Sequence, residues 1–350
     1  MSGRISTHKA GDRTVHSLHD DATGASASIL PSYGFNLFDL RLPLGGEIRP
    51  IVVTEPGWEA NPSRPARHGF PILFPFAGRI RDARYSYRGK HYELVANKPP
   101  HAIHGFAYDA AWDVLDHSAG KDGATILGRF QISKNALSSL MRWPADAILE
   151  VRYTLMGSGL TMTADIRNPS ETPLPWVLGI HSYFALPFDR REDLSQTRIV
   201  IPAESAWALE DTLPTGEIVP VSGTALDYRK GRSMAGLEAD IAVTGLEYEN
   251  GTTGSCRMID EKLGANLRMT FDRKVREIIV FTPSGSPGVI AVEPYTGMAD
   301  PFELLSRGAA PGLAELASGA SSRIEVAFEA FSESEATRVG TQFAHGGKIV

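Results

Sequence analysis

The amino-acid sequence predicts an all-β protein, folded as one large antiparallel β-sandwich with a few short helices. Three observations support this prediction. Several short segments alternate apolar and polar residues with a period of two, as half-buried strands do. Glycine and proline, 34 and 23 residues of 350, separate these segments at short intervals where turns are expected. Strands do not alternate with long helical segments, so a parallel α/β sheet is not predicted.

The clearest strands form two hairpins. Residues 149–155 and 160–166 alternate apolar and polar side chains on either side of a glycine-containing turn, which predicts two antiparallel strands. The segment RYSYRGKHYEL, residues 84–94, predicts a second hairpin around its Arg-Gly-Lys turn. Four further segments are expected to form strands: residues 123–133, 276–284, 288–294 and 324–328.

Helix signals are few and short. The segment SKNALSSLMRW predicts a helix that begins at Ser133 and ends before Pro144. In DPFELLSRG, we expect Asp300 to cap a second helix and Pro301 to be its first residue.

The apolar periodicity ends near Ser332. We therefore expect a single domain over residues 1–331 and a polar C-terminal tail over residues 332–350.

The overall composition argues against nucleic acid and membrane partners. The chain carries a net charge of −6, which gives no general support for binding nucleic acid or an anionic membrane. The charged N-terminal segment lacks the apolar centre of a signal peptide, and no segment has the length needed to cross a bilayer. We therefore expect a cytoplasmic protein.

Metal and disulfide chemistry have little support in the sequence. A single cysteine, Cys256, excludes an intramolecular disulfide and any site with several cysteine ligands. His101 and His104 have a spacing that suits metal binding on a helix, but Pro99-Pro100 and Gly105 make a helix improbable there. We expect neither a metal nor a cofactor.

Three distant segments each place a histidine or carboxylate beside glycine or proline near an apolar stretch. They are PPHAIHGFAYDAAW (99–112), PWVLGIHSYFALP (175–187) and GVIAVEPYTG (288–297). A fourth, HGFPILFPFAGRIRD (68–82), leads to Arg79. Loops at strand ends are where a rigid sandwich presents reactive groups. Glu293 is notable because a carboxylate at the end of an apolar strand costs free energy unless it is paired or used.

Each of these residues also has an ordinary structural explanation. His181 could be a core histidine bonded to a backbone carbonyl, and Glu293 could be the ion-pair partner of an arginine. Arg79, Arg81 and Arg84 could form a solvated charged face. The segments are therefore informative only in combination.

In combination, five motifs resemble those of the aldose 1-epimerase (galactose mutarotase-like) family. In chain order they are FPFAGRI (74–80), HGFA (104–107), GIHSYF (179–184), GTALDYR (223–229) and EPYTG (293–297). The resemblance extends over most of the chain. It implies a galactose mutarotase-like supersandwich that interconverts the α and β anomers of an aldose, without a redox step or cofactor.

The resemblance also implies roles for individual residues. Glu293 would be the general base and His181 the general acid. Four further residues are expected to bind the sugar: Arg79, His104, Tyr183 and, as the best candidate for the family's sugar-holding aspartate, Asp240.

Two further features concern the sugar contacts. Many members carry asparagine where this chain has Gly78, so one hydroxyl contact is expected to be missing or supplied elsewhere. Trp176, Phe106 or Tyr295 could offer the sugar a flat apolar surface, although each could equally pack in the core.

The implied reaction needs one acid and one base. The base takes the proton of the C1 hydroxyl while the acid protonates the ring oxygen; the ring opens, the C1–C2 bond rotates, and closure reverses the roles. We expect the two groups to flank the sugar from opposite sides. Burial is expected to raise the pKa of the glutamate, and a neighbouring carboxylate or hydroxyl to keep the imidazole protonated.

The sequence leaves other functions open. A hexose-6-phosphate 1-epimerase would need a phosphate site, for which Arg64, Arg67, Arg81 and Arg84 are candidates. A non-catalytic sugar-binding or regulatory module would keep the fold without the reaction. A metal-dependent β-sandwich enzyme has less support because the sequence lacks a compact His-x-His followed by Glu. The protein could be a monomer or a homodimer.

Overall fold

The structure, a computed structural model, describes residues 3–332 of the chain. These residues form mainly antiparallel strands with a few short helices, so the predicted fold class is confirmed. Within this range no helix has the length and apolar character needed to span a membrane.

The secondary structure consists of twenty-nine strands, two helices and four 3₁₀ turns within the described residues. In chain order, the strands are β1 (Gly3–Ala10), β2 (Arg13–Asp20), β3 (Ser26–Leu30), β4 (Asn36–Leu44), β5 (Glu47–Pro50), β6 (Ile72–Leu73), β7 (Arg79–Ile80), β8 (Arg84–Tyr87), β9 (Lys90–Glu93), β10 (Ala102–Ile103), β11 (Asp113–Gly120), β12 (Gly123–Gln131), β13 (Ile148–Met156), β14 (Gly159–Arg167), β15 (Leu174–Trp176), β16 (Gly179–Ile180), β17 (Tyr183–Ala185), β18 (Thr197–Val200), β19 (Ala203–Glu210), β20 (Leu213–Pro220), β21 (Arg232–Ser233), β22 (Asp240–Leu246), β23 (Tyr248–Glu249), β24 (Thr253–Asp260), β25 (Ala265–Asp272), β26 (Glu277–Phe281), β27 (Val289–Tyr295), β28 (Ala314–Leu316) and β29 (Ser321–Ser332). The helices are α1 (Ile132–Asn135) and α2 (Pro301–Ser306), and the 3₁₀ turns are Trp58–Ala60, Pro65–Arg67, Arg81–Ala83 and Leu137–Arg142.

Three large sheets contain most of these strands. The first contains β1 to β5 in sequence order. The second has the order β11-β12-β13-β14-β29-β25-β24-β18-β21, with β23 paired to β24. The third has the order β20-β19-β22-β26-β27-β16-β6, with β17 paired to β27. Three two-stranded pairs, β7 with β10, β8 with β9 and β15 with β28, complete the arrangement.

The predicted hairpins and strands are confirmed. β13 and β14 pair in antiparallel register from Ile148 opposite Arg167 to Met156 opposite Gly159, and β8 pairs with β9. The apolar positions of β13 and β14 are buried, as their alternation predicts. Their side chains join one extended core with apolar residues of the other large sheets.

The first predicted helix is shorter than expected. It consists of α1 and the separate 3₁₀ turn Leu137–Arg142, with Ala136 in a non-helical conformation between them. Leu137 and Met141 are 65% and 87% exposed, so the segment lacks the buried apolar stripe that stabilises a longer helix. Ser133 instead bonds through its backbone N–H and hydroxyl to the carboxylate of Asp146.

The second helix begins at Pro301 with Asp300 at its N-cap position, as predicted, but the side chain of Asp300 does not bond to the helix. Asp300 precedes α2 in a left-handed conformation and makes no side-chain cap bond. Its carboxylate, 3% exposed, accepts hydrogen bonds from the backbone N–H (3.1 Å) and Nε (3.2 Å) of Arg81. A carboxylate this deeply buried is stabilised more by an arginine than by a neutral amide.

The predicted boundary of the C-terminal tail falls at the end of a strand. Ser332, the first residue of that tail, ends β29 and pairs with Ala265. The rest of the predicted tail, residues 333–350, lies outside the described residues.

Candidate active site

A cavity of about 590 Å³ brings together the six site residues predicted from the sequence. All six line it: Arg79 from β7, His104 after β10, His181 after β16, Tyr183 from β17, Asp240 from β22 and Glu293 from β27. A larger cavity of about 920 Å³ opens beside β24, β25 and β29, and none of the six lines it. The six residues predicted from the sequence therefore share the smaller cavity.

Glu293 lies near the end of β27, where it is 1% exposed. β27 is paired with β26 on one side and with β16 and β17 on the other, which fixes the backbone on both sides. Oε2 of Glu293 accepts a hydrogen bond of 2.8 Å from the hydroxyl of Tyr295, two residues further along the same strand. Its other oxygen, Oε1, lies 3.3 Å from Nε2 of His181.

The ring of His181 is held by its neighbours. It stacks on Tyr183, with ring centroids 4.6 Å apart, and meets the ring of His104 edge-on at 5.4 Å. The hydroxyl of Tyr183 in turn donates to the carbonyl of Ala66 at 3.0 Å. The imidazole consequently presents Nε2 to Glu293 from a defined orientation.

Burial has opposite effects on the pKa values of these two groups. It raises the pKa of Glu293 well above its usual value, an effect reduced by the Tyr295 hydrogen bond and increased by Asp240. It lowers the pKa of His181, because a buried imidazolium loses hydration, and Arg67 lowers it further. The direction of the glutamate shift is as expected, but the expectation of a protonated imidazole is not met. Both shifts favour the uncharged forms, a neutral carboxyl beside a neutral imidazole.

The expectation that the acid and base flank a sugar from opposite sides is also wrong. At 3.3 Å, Oε1 of Glu293 and Nε2 of His181 lie side by side, with no room for a pyranose between them. The hydroxyl oxygen and the ring oxygen of a cyclic aldose are both bonded to C1 and are therefore close neighbours. Two adjacent proton-transfer groups can thus reach both oxygens from one side.

The remaining predicted residues surround this pair. Arg79 opposes Ile103 in the β7–β10 pair. Desolvation raises the pKa of the Asp240 carboxyl above its usual value, and the nearby Arg79 lowers it in part. His104 is buried, and burial holds its pKa well below the usual value, which favours the neutral imidazole.

Gly78 has a steric reason to lack a side chain. It adopts a φ of 65°, and a Cβ there would lie 2.6 Å from the Cβ of Ala299. The methyl group of Ala299 thus fills the space in which an asparagine side chain would begin. The backbone carbonyl of Gly78 accepts the N–H of His104 at 2.9 Å, so this residue still positions the site.

The structure separates the three aromatic candidates for a sugar surface. Tyr295 lines the cavity, whereas Phe106 packs against Phe76 and Trp143, and Trp176 is buried in β15. The hydrogen bond from Tyr295 to Glu293 was not predicted from the sequence. The spacing of two residues on a strand, which puts both side chains on one face, could have revealed it.

Five further charged or polar residues line the cavity. Asn97, Tyr108 and Lys98 were not predicted from the sequence, and Arg64 and Arg67 were considered only for a phosphate site. The motif GTALDYR contributes no residue to the cavity; Asp227 and Arg229 within it form an ion pair with each other.

Comparisons with known proteins show the family to which the chain belongs. The family model described as Aldose 1-epimerase matches residues 16–327. Galactose mutarotase from Homo sapiens is 29% identical over 188 residues, which are 53% of this chain and 52% of that protein. Maltose epimerase from Levilactobacillus brevis is 25% identical over 236 residues, 65% of this chain and 66% of that protein. The matches thus span about half to two thirds of the length of these relatives.

A solved structure shares the fold. A galactose mutarotase-like protein from Clostridium acetobutylicum superposes with a TM-score of 0.84 at 21% identity, covering 94% of this chain and 98% of that chain. The overall architecture implied by the five motifs is therefore confirmed.

Proposed function

The chain belongs to the aldose 1-epimerase family, and from this premise we propose that it is an isomerase that interconverts the α and β anomers of an aldose. The observation that carries the proposal is the distance of 3.3 Å between Oε1 of Glu293 and Nε2 of His181 in the cavity. Five of the six predicted site residues belong to motifs that resemble those of the family or directly adjoin them, and the sixth is Asp240.

In the proposed reaction, Glu293 and His181 move protons between two oxygens bonded to C1. The carboxylate takes the proton of the C1 hydroxyl, and the electron pair of that O–H bond forms the C1 carbonyl as the bond from C1 to the ring oxygen breaks. The imidazolium protonates the ring oxygen. After rotation about C1–C2, the groups exchange roles and the ring closes on the other face.

The protonation state of the pair suits this cycle. A neutral carboxyl with a neutral imidazole holds as many protons as a carboxylate with an imidazolium, so transfer of one proton converts the first form into the second. Burial favours the first form in the protein, and entry of a polar sugar would stabilise the second. No change in the net charge of the site is needed between the two anomers.

The neighbouring residues have supporting roles in this proposal. Tyr295 occupies Oε2 of Glu293, which leaves Oε1 for the reaction. Tyr183 fixes the imidazole plane by stacking. Arg79, His104 and Asp240 are expected to bind ring oxygens and hydroxyls. Anomer exchange also proceeds unaided in water, and positioned proton-transfer groups typically contribute about 10²–10⁴-fold each, which is sufficient for a useful acceleration.

The test is the rate of anomer exchange. Freshly dissolved α-glucose, α-galactose and maltose should reach their equilibrium rotation faster in polarimetry, in proportion to the protein added. Exchange measured by NMR at equilibrium should agree, and a chelator should leave the rate unchanged, which separates this reaction from a metal-dependent one. Sugar binding without acceleration on any aldose of the panel would contradict the proposal and support a non-catalytic module.

A further inference from the structure

We propose that the cavity binds aldoses that carry a terminal anionic group, with Arg64, Arg67 and Lys98 holding that group at the cavity mouth. This inference rests on the proposed function and specifies its substrate class. It extends the site beyond the residues that contact C1.

The charges that line the cavity are unbalanced. Its charged side chains are four cations and two carboxyls: Arg64, Arg67, Arg79, Lys98, Asp240 and Glu293. The opposite charges of Arg79 and Asp240 offset each other, although the two form no ion pair within 4.0 Å, and the buried Glu293 contacts His181. Three cations remain without a compensating charge there, although the chain as a whole carries a net charge of −6.

These three cations also lack ion-pair partners elsewhere in residues 3–332. No carboxylate oxygen in that range lies within 4.0 Å of the charged nitrogens of Arg64, Arg67 or Lys98. The other two arginines considered for a phosphate site differ, because Arg81 pairs with Asp300 and Arg84 with Asp82. Neither of those two lines the cavity.

Hydrogen bonds anchor both cation-bearing segments to the cavity wall. In the turn Pro65–Arg67, the carbonyl of Ala66 accepts the hydroxyl of Tyr183 at 3.0 Å. Tyr183 also stacks on His181, so this turn is tied directly to the reacting pair.

The segment that carries Lys98 is anchored in a similar way. Lys98 and His101 exchange two backbone hydrogen bonds of 3.0 and 2.8 Å. The side chain of Asn97 bonds to the backbone of Ile103 and to the hydroxyl of Tyr108. The cations therefore extend from fixed backbone positions.

The position and number of the cations indicate the chemistry of the ligand. Arg64, Arg67 and Lys98 are exposed, whereas His181 and Glu293 are buried, so an anion at the mouth would belong to the end of the sugar remote from C1. Guanidinium groups bind phosphate and carboxylate through paired hydrogen bonds, and lysine adds a point charge. A phosphate carries about −1.5 to −2 charges at neutral pH, so it balances three cations better than a carboxylate does. An aldose 6-phosphate fits best, and a uronic acid offers the same chemistry with a smaller charge.

The first experiment compares three probes on the wild-type chain: glucose 6-phosphate, glucuronate and glucose. The readout is kcat/KM for anomer exchange by NMR, after subtraction of each uncatalysed rate. We expect a value at least about tenfold higher for glucose 6-phosphate than for glucose, with the advantage shrinking as salt is added. If kcat/KM for glucuronate exceeds that for glucose by a comparable factor, the site binds anions in general. If glucuronate has no such advantage, the site is specific for phosphate. Equal values for all three probes would overturn the inference.

Variants locate the anion site. Arg67→Gln and Lys98→Gln should each lower the ratio of kcat/KM between glucose 6-phosphate and glucose by about tenfold. Arg84→Gln is the matched control, since Arg84 is also an exposed arginine but lies outside the cavity, and it should leave the ratio unchanged. If Arg67→Gln or Lys98→Gln lowers kcat/KM equally for both sugars, the ratio is unchanged and the residue does not bind the anionic group.

Calorimetry separates this inference from the proposed function. Salt-sensitive binding of glucose 6-phosphate that weakens in Arg67→Gln, without any acceleration of exchange, would support the anion site and reject the isomerase. Acceleration of exchange with equal binding of glucose and glucose 6-phosphate would support the isomerase and reject the anion site.

Discussion

Two buried glutamates lie on neighbouring strands, and only one of them faces the cavity. Glu293 on β27 and Glu277 on β26 are each 1% exposed. Each accepts a hydrogen bond from an aromatic donor, the hydroxyl of Tyr295 at 2.8 Å or Nε1 of Trp207 at 3.1 Å. Burial raises the pKa of both, that of Glu277 to about 7. By burial and pKa alone, the two carboxyls look alike.

Their surroundings differ. Glu293 lines the cavity and has an imidazole nitrogen 3.3 Å away, whereas Glu277 is absent from the cavity lining and lies against Trp207. A raised pKa therefore does not identify a catalytic carboxyl by itself. Access to a substrate and a neighbour that can exchange a proton make the difference, and the following variants test this distinction.

The largest effect is expected from Glu293→Gln. The change keeps the shape of the side chain but removes the base, so the catalysed rate should fall by about 10²–10⁴-fold or more. Polarimetry measures the rate, and thermal denaturation should show that the variant folds nearly as well as the wild type. Glu277→Gln is the matched control and should keep the rate within about twofold, because a carboxyl outside the cavity has no part in the proton transfer. A Glu293→Gln variant as fast as the wild type would end the assignment.

His181→Asn should have an effect of similar size. It removes the partner that exchanges protons with Glu293, so the rate is expected to fall by about 10²–10⁴-fold. NMR exchange at several sugar concentrations should locate the loss mainly in kcat. His68→Asn provides the control, because His68 is a buried histidine outside the cavity lining. Equal losses in the two variants would mean that His181 has only a packing role.

The pH dependence should follow the single proton of the pair. A second proton would require a buried imidazolium beside a neutral carboxyl, so the acid limb of kcat/KM should lie below the ordinary histidine value of about 6.5. Loss of the last proton would require a buried carboxylate beside a neutral imidazole, so the alkaline limb should lie well above the ordinary glutamate value of about 4.3. An acid limb at or above pH ~6.5 would contradict the shared-proton description.

Tyr295→Phe should have a smaller and more specific effect. It removes the hydrogen bond that stabilises the Glu293 carboxylate, so the alkaline limb should move to higher pH and kcat should fall about tenfold with little change in KM. Trp207→Phe removes the corresponding bond from Glu277 and should leave the pH profile of the reaction unchanged. If the Tyr295 variant also leaves the profile unchanged, the tyrosine only fills space.

The smallest effect concerns stability, and here Glu277, the control residue for activity, is the one expected to matter. Between the ordinary glutamate pKa of about 4.3 and its folded value of about 7, Glu277 binds more protons in the folded than in the unfolded chain. The free energy of unfolding should therefore fall as pH rises through this window. Glu277→Gln removes this loss, so in denaturant titrations the variant should gain stability relative to the wild type between pH 5 and 8, by about 1–3 kcal/mol. A difference that does not depend on pH would show that the carboxyl does not titrate there.

The sequence predicted the local parts of the fold well and the long-range contacts less well. The β13–β14 hairpin followed from alternation within one segment, whereas the contact of Asp300 with Arg81 joins residues far apart in the chain. Glu277 also sits beside an apolar run, but its hydrogen bond comes from Trp207 on a distant strand, which no local pattern shows.

The sequence named six residues that line the cavity, but not how they are placed relative to one another. Motifs pointed to five of the six predicted residues, but the side-by-side placement of His181 and Glu293 depends on how β16, β17 and β27 pair. Similarly, Arg64 and Arg81 look alike in sequence, and only the turns that carry them direct one to the cavity and the other to Asp300.

The pairing of β27 with β16, β17 and β26 has a consequence for synthesis of the chain. Arg79 and His181 are synthesised well before β27, the strand that carries Glu293. The contact between His181 and Glu293 can therefore form only after most of the chain has been made. A fragment truncated before residue 289 would keep the imidazole and lack its counterpart. Enzymatic turnover would then serve as a reporter of nearly complete folding.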